Sequence, residues 1–123
     1  MSVGSLGTVI AVRRYPIEGS SGVVTVTVGK PRKTRGYPDY CCPFRIATPR
    51  GTETHRACGL DAIHALLLAL VIIGVHLSTL PESKTGRLAW VGGADGDLGL
   101  PPLAFVRQRR KTATAPRSQG RRP

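Results

Sequence analysis

The sequence is poor in aromatic residues, in acidic residues and in cysteine. Its 123 residues include one Trp, three Tyr, two Phe and three Cys, so aliphatic side chains must build most of any core. A small and odd number of cysteines argues against the disulfide framework of a small secreted protein. The N-terminus also lacks a basic start followed by an apolar run, which argues against a secretory signal. We therefore expect reduced cysteines and a cytoplasmic location.

The length and the hydrophobic content are those of one small globular domain. Hydrophobic residues make up 41% of the chain, slightly below the typical globular share. A chain of this length suffices for one compact domain but not comfortably for two. These values exclude a multidomain enzyme and a wholly disordered chain.

Positive charge is concentrated at the C-terminal end. The chain has 18 Lys and Arg against 7 Asp and Glu, a net charge of +11, and a pI of about 10.8. Residues 107–123 hold no acid and seven bases, namely Arg107, Arg109, Arg110, Lys111, Arg117, Arg121 and Arg122. They have no hydrophobic periodicity that could offset the entropy of ordering. We therefore expect one domain over residues 1–106 and a disordered basic tail over 107–123.

Five segments have the alternating or β-branched composition of strands. They are residues 6–14, 23–28, 40–47, 52–57 and 87–91. The side chains expected to face the core are Val24, Val26 and Val28 in the second segment and Cys42, Phe44 and Ile46 in the third. Pro43 cannot donate a hydrogen bond to a neighbouring strand, so we expect the third segment at a sheet edge or with a bulge there. The basic segment 30–35 is expected to be a loop.

The hairpin formed by the third and fourth segments leaves two registers open. A three-residue loop ending at Gly51 places Cys42 opposite Cys58 and sets His55 near Arg45, on the outward face of Cys41. A loop one residue shorter places Cys41 opposite Cys58 instead.

One long apolar helix is predicted over residues 61–79, with Asp61 as its N-cap. The stretch 62–80 carries no formal charge and is close to a membrane-spanning length. His64 and His76 interrupt that stretch, so we expect a buried helix rather than a membrane anchor. The predicted fold is α+β, a single small domain with a mainly antiparallel sheet of about five strands packed on this helix.

No group of residues has the spacing of a metal or catalytic site. The nearest approach to a soft-ligand set is Cys41, Cys42, His55 and Cys58. Neighbouring residues of a strand point to opposite faces, so these side chains are not expected to converge on zinc. A Cys41–His55 dyad has no supporting motif, and His64 and His76 lie about 18 Å apart along a helix. We predict no metal, no cofactor and no enzymatic activity.

A glycine-rich loop near the C-terminus is the candidate binding surface. Its candidate residues are Trp90, Gly92, Gly93, Asp95 and Asp97. The triplet 95–97 offers too few oxygens for calcium, which takes six to eight, so a tight turn is the better interpretation. Binding residues often lie on loops, whereas Trp90 itself is expected to be mostly buried.

Two stretches of the sequence together resemble a protein family. They are residues 39–46 with the following 59–62, and residues 88–101, which contain the run Trp-x-Gly-Gly-x-x-Gly-Asp-Leu-Gly-x-Pro. The resemblance covers about residues 5–101 and is to small uncharacterised bacterial proteins classed as a domain of unknown function. It implies a cytoplasmic bacterial domain with a sheet, one main helix and no assigned activity.

These features favour a non-enzymatic interaction module with a protein partner, acting through the loop and the neighbouring strand edges. An inhibitor or an immunity-type protein in bacterial conflict is one form that such a module could take. One alternative is a binder of nucleic acid or another polyanion through the basic tail. A second alternative is a small protein anchored in a membrane by the helix at 62–80. The oligomeric state is left open.

Overall fold

An antiparallel sheet with one long helix forms the protein in a computed structural model, which describes residues 6–35, 39–93 and 96–104. The strands are β1 Val9–Pro16, β2 Val23–Gly29, β3 Arg32–Lys33, β4 Tyr40–Thr48 and β5 Gly51–Gly59. The helices are α1 Ala62–Ser78 and α2 Pro81–Lys84. The predicted α+β class and the five-stranded antiparallel sheet are therefore confirmed. The expected tail at 107–123 lies outside the described residues.

The strand order places β1 and β5 at the two sides of the sheet. β2 pairs with β1 on one side and with β4 on the other, and β5 pairs with the opposite edge of β4. β3 continues along the same edge of β4 as β2. The helix α1 packs mainly on β4 and β5. One face of the sheet is thus covered by the helix.

The core lies between the sheet and α1, as the alternation predicts. All six side chains predicted to face inward are buried, namely Val24, Val26, Val28, Cys42, Phe44 and Ile46. The helix contributes the buried residues Ala65, Ala69, Val71, Ile73 and Leu77. Fully burying an aliphatic or aromatic side chain of this size contributes about 1.5–3 kcal/mol, so this layer supplies most of the driving force for folding.

Pro43 lies in a central strand, and the β4–β5 register runs through it without a bulge, which corrects the expectation of an edge or a bulge. On the side of β4 that faces β2, the ladder with β2 ends at the pair Val28–Phe44 and the ladder with β3 begins at Arg32–Cys41. Pro43 lies in the interval between these two ladders, where the missing N–H removes no paired bond. The basic segment 30–35, which was expected to be a loop, contains the short strand β3.

The strand predicted over residues 87–91 is wrong. Among the described residues, this segment makes one isolated bridge, between Ile17 and Leu88, supported by the Glu18 N–H donating to the Arg87 carbonyl at 3.0 Å. The Gly93 N–H donates to the Trp90 carbonyl at 2.9 Å. This turn takes the chain away from β1 directly after the bridge, so no ladder forms.

The β4–β5 hairpin adopts the shorter of the two registers considered. Thr48 pairs with Gly51, which leaves a two-residue turn that is stabilised by the Arg50 N–H donating to the Thr48 hydroxyl at 3.1 Å. Cys41 consequently lies opposite Cys58 and Phe44 opposite His55. A shift of one residue moves each side chain of a strand to the other face, so His55 points toward the helix and not outward.

Cys41 and Cys58 form a disulfide across this hairpin, at a sequence separation of 17. Cys42 is a free, fully buried cysteine, and burial raises the pKa of its thiol to about 11. The expectation of three reduced cysteines is therefore wrong for one pair. The premise for a cytoplasmic location is weakened, because disulfides persist mainly in oxidising compartments.

Asp61 caps α1 as predicted. Its carboxylate accepts from the His64 N–H at 2.8 Å, and the Leu60 N–H donates back to the His64 imidazole nitrogen Nδ1 at 3.0 Å. Two free backbone donors are thus satisfied by side chains at the helix start. Within the described residues, no helix is long and apolar enough to cross a membrane.

Reducing the Cys41–Cys58 bond is expected to lower the free energy of unfolding by about 2–4 kcal/mol, because the bond restricts the conformational entropy of the unfolded chain. Urea denaturation with and without dithiothreitol measures the difference. The Cys58→Ser variant should be insensitive to the reductant, whereas Cys42→Ala should remain sensitive. A wild-type chain equally stable in both conditions would contradict the assigned pairing.

Candidate functional site

The loop selected from sequence is held against β1 by two side chains. The Tyr15 hydroxyl donates to the Leu98 carbonyl at 2.7 Å. The Arg13 guanidinium Nη1 donates to the Leu98 and Gly99 carbonyls at 3.1 and 2.9 Å. Its guanidinium carbon also lies 4.7 Å from the centre of the Trp90 ring, a cation–π contact. Arg13 therefore joins both ends of the loop to the sheet.

The loop glycines permit close packing. Gly99 has a φ of 74°, and a Cβ there would lie 2.6 Å from atoms of the Trp90 ring. A Cβ on Gly93 would lie 2.7 Å from the Asp97 carbonyl, and the Asp97 carboxylate accepts from the Gly99 N–H at 2.8 Å. These contacts give the loop residues a structural role, and their role in binding stays a prediction.

One expectation about this loop is confirmed and one is not tested. Trp90 is largely buried, as expected, and packs against the core. Asp95, one of the candidate binding residues, lies outside the described residues. The exposed residue Gly92 contacts the Trp90 ring, so it also helps to frame the aromatic side chain.

The outer edge of β1 is a second candidate surface. Among the described residues, β1 pairs as a strand with β2 alone. Three aliphatic side chains on it are about half exposed, Val9 at 48%, Ile10 at 47% and Val12 at 50%. Ile10 lies at a β-bulge. An edge strand presents unpaired backbone donors and acceptors, and this one presents apolar side chains beside them.

The sheet face turned away from α1 is polar and basic. Its side chains follow from the register and alternate with those of the core; they include Val12, Arg14, Thr25, Thr27, Arg45, Thr54 and Arg56. Glu53 is the one acidic residue within the described strands, and its partner Ile46 places it on the helix side. The open face thus carries positive charge without a strand carboxylate beside it.

A third feature is a cluster of two histidines and a glutamate. His55 on β5 and His76 in the last turn of α1 have ring centroids 4.8 Å apart. The Glu53 carboxylate oxygen Oε1 lies 3.1 Å from His55 Nε2. One ligand atom from each of the three side chains lies within 4.8 Å of the other two. Phe44 packs beside both imidazoles, with centroid distances of 5.7 and 6.2 Å.

This cluster borders a cleft of about 500 Å³ between the β4–β5 turn and the C-terminal end of α1. Glu53, His76 and Thr79 are among its lining residues. Arg50 stands at the turn end of the cleft and donates two hydrogen bonds to the Glu82 carboxylate, at 2.5 and 3.0 Å. The hydrogen bonds from Arg50 lower the pKa of Glu82 to about 2.

Sequence reasoning missed this cluster because it left the hairpin register open. In the shorter register, His55 shares a face with Phe44. His76 follows the buried residues Ala69 and Ile73 at helical spacing, so the signal for its inward direction was present. His64 instead serves the helix cap, and Cys41 lies on the opposite face from His55.

The fold and these surfaces define a small α+β domain with a helix on one face of an antiparallel sheet. A family model described as a domain of unknown function, DUF6968, matches residues 11–102, and the chain belongs to this family. The matched range runs from β1 to the loop that β1 holds. The resemblance to a domain of unknown function is thus confirmed, while bacterial origin stays a prediction. No curated protein and no solved structure matches the chain.

Replacing Gly99 with Ala is expected to destabilise the protein more than replacing Gly96. Both glycines have positive φ, 74° and 80°, which costs a side chain about 1 kcal/mol. Around Gly96 no atom lies within 4 Å of the added Cβ, whereas at Gly99 the Trp90 ring must move, at roughly 1–3 kcal/mol more. Urea denaturation measures both variants. Equal losses would show that the close contact does not contribute.

Acid is expected to weaken the Arg50–Glu82 pair in a defined pH range. The pKa of Glu82 is lowered from 4.5 to about 2, so its stabilisation is fully present above pH 4.5 and is lost as the pH falls toward 2. Melting temperatures between pH 6 and 2 should fall less for Glu82→Gln than for the wild type. Glu18→Gln, at an exposed carboxylate, is the matched control and should follow the wild type.

Proposed function

We propose that this protein is a non-enzymatic interaction module that binds an extended segment of a partner protein along the outer edge of β1. The observation that carries the proposal is the outer edge of β1, which no described strand pairs and which carries three half-exposed aliphatic side chains. An extended peptide that joins a sheet edge gains main-chain hydrogen bonds, and side-chain pockets beside the edge then provide specificity.

Such a pocket adjoins β1. A cavity of about 160 Å³ is lined by Ala11 and Arg13 of β1, by Leu70 of α1, and by Gly99, Leu100 and Pro101 at the end of the held loop. Most of the lining residues are apolar. A partner strand bound along β1 would direct alternate side chains toward the face of the sheet that carries α1, and one of them would enter this cavity. The loop chosen from sequence therefore contributes to the proposed surface by forming one wall of this cavity.

The exposed composition of β1 supports binding better than a purely structural role. Natural edge strands are commonly protected by Lys, Pro, a β-bulge or inward-pointing charge. β1 has a bulge at Ile10, but its N-terminal half has no Lys or Pro and exposes the aliphatic side chains Val9, Ile10 and Val12. Burying these side chains under a partner would remove apolar area from water and so favour association.

Val12→Lys is expected to abolish partner binding, because a lysine on the edge opposes further strand pairing and the burial of this position. Leu60→Lys is the matched control, since Leu60 is 78% exposed and lies between β5 and α1, away from β1 and from the loop. The full chain is used to capture proteins from lysate of its host, with cross-linking to locate the contact. Wild type and Leu60→Lys should retain one stoichiometric partner cross-linked to β1, and Val12→Lys should lose it. Equal capture by all three chains would overturn the proposal.

A second candidate function is the binding of a polyanion on the open sheet face, and a specific observation favours it. Arg14, Arg45 and Arg56 share that face with threonine hydroxyls, and no described strand places a carboxylate there. Arginine and hydroxyl side chains contact phosphates. Nuclease treatment in the same capture experiment separates the candidates, because capture that nuclease removes, and that falls steeply with salt, indicates nucleic acid.

A further inference from the structure

We propose that Glu53, His55 and His76 form a binding site for a divalent transition metal ion, with Zn²⁺ as the ion that best fits the ligands. The site is independent of the proposed partner surface, since β1 lies at the other side of the sheet. Two imidazole nitrogens and one carboxylate oxygen are a ligand set that zinc uses when three protein groups bind it and a fourth position stays open.

The distances are compatible with one ion held by all three side chains. Zinc bonds of about 2.0–2.1 Å in a tetrahedral arrangement separate neighbouring ligand atoms by roughly 3.4 Å. The Glu53 Oε1 and His55 Nε2 atoms are already 3.1 Å apart. The chosen ligand atoms of all three residues lie within 4.8 Å of one another. Binding therefore requires the more distant ligand atoms to approach by at most about 1.4 Å, from 4.8 Å to this separation.

The two histidines are positioned by regular secondary structure, His55 by the strand β5 and His76 by the helix α1. His55 is directed toward the helix by its pairing with Phe44 in the β4–β5 ladder. His76 lies in the last turn of α1, whose end is closed by Thr79, with both the N–H and the hydroxyl of Thr79 donating to the His76 carbonyl. Phe44 packs beside both imidazole rings and limits their movement.

The electrostatic surroundings favour a cation at this place. The C-terminal end of a helix carries partial negative charge, and His76 is in the last turn of α1. Glu53 adds a formal negative charge, with an exposed side chain. The nearest arginine described in the cleft, Arg50, is paired with Glu82. A divalent cation would therefore be attracted by the helix end and by Glu53, while the charge of Arg50 is neutralised by Glu82.

The thiols do not compete for the same ion. Cys41 and Cys58 are joined in a disulfide, and Cys42 is fully buried with its thiol directed to the Gly29 carbonyl at 3.4 Å. The metal would be bound by nitrogen and oxygen alone. Because Glu53 and His76 also line the cleft, the fourth position would face that cleft and would take water or a small anionic ligand.

Isothermal titration of the full, oxidised chain with ZnCl₂ tests the site. One Zn²⁺ is expected per chain, and His55→Gln and His76→Gln should each weaken binding about tenfold or more, since loss of even an outer partner of a ligand costs 10–100-fold. His64→Gln is the matched control, because His64 lies on the same helix but serves its cap. It should bind as the wild type does. With Co²⁺, visible bands of a four-coordinate ion are expected without thiolate charge-transfer absorption.

Circular dichroism of each metal-free variant shows whether it folds. Should His76→Gln fail to fold, Glu53→Gln replaces it, since that exposed carboxylate contributes to no core contact. The proposal is overturned if the wild type binds no stoichiometric Zn²⁺, if Glu53→Gln and His55→Gln bind it unchanged, or if His64→Gln loses it equally.

Discussion

The pairing register of the β4–β5 hairpin is the constraint on which the rest of the molecule depends. A turn of two residues after Thr48 sets Cys41 against Cys58 and Phe44 against His55. One residue more in that turn would exchange the two faces of β5. The disulfide, the burial of Ala57 against the helix and the approach of His55 to His76 would then all be lost together.

Arg13 has a comparable role at the other side of the sheet. It donates to two carbonyls of the glycine-rich loop and covers the Trp90 ring. These contacts pack the loop against the sheet, although its glycine content alone is typical of a mobile binding segment. The unusual glycine and tryptophan run of this sequence is explained by packing and backbone conformation, before any role in recognition.

The sequence predicted the layers of the fold better than its connections. Alternation in β2 and β4 identified the inward residues, and the N-cap at Asp61 marked the helix start. The strand expected at 87–91 failed because strand-like composition does not reveal a turn that closes at Trp90. Pro43 was expected at a sheet edge or at a bulge, because proline lacks the N–H that a central strand donates. Sequence alone could not show that β2 and β3 share one edge of β4 and leave an interval between them.

Composition and periodicity by themselves determined that this is one α+β domain with an apolar helix packed on its sheet, because burial of apolar residues follows local patterns of period 2 and 3.6. Only the tertiary structure decided which residues meet across those patterns. The cysteines and histidines lie far apart in sequence, and their distances depend on one turn length and on the rotation of α1 over the sheet. The candidate metal site takes Glu53 and His55 from β5 and His76 from α1. It forms only when the helix packs on the sheet, because neither element carries all three ligands.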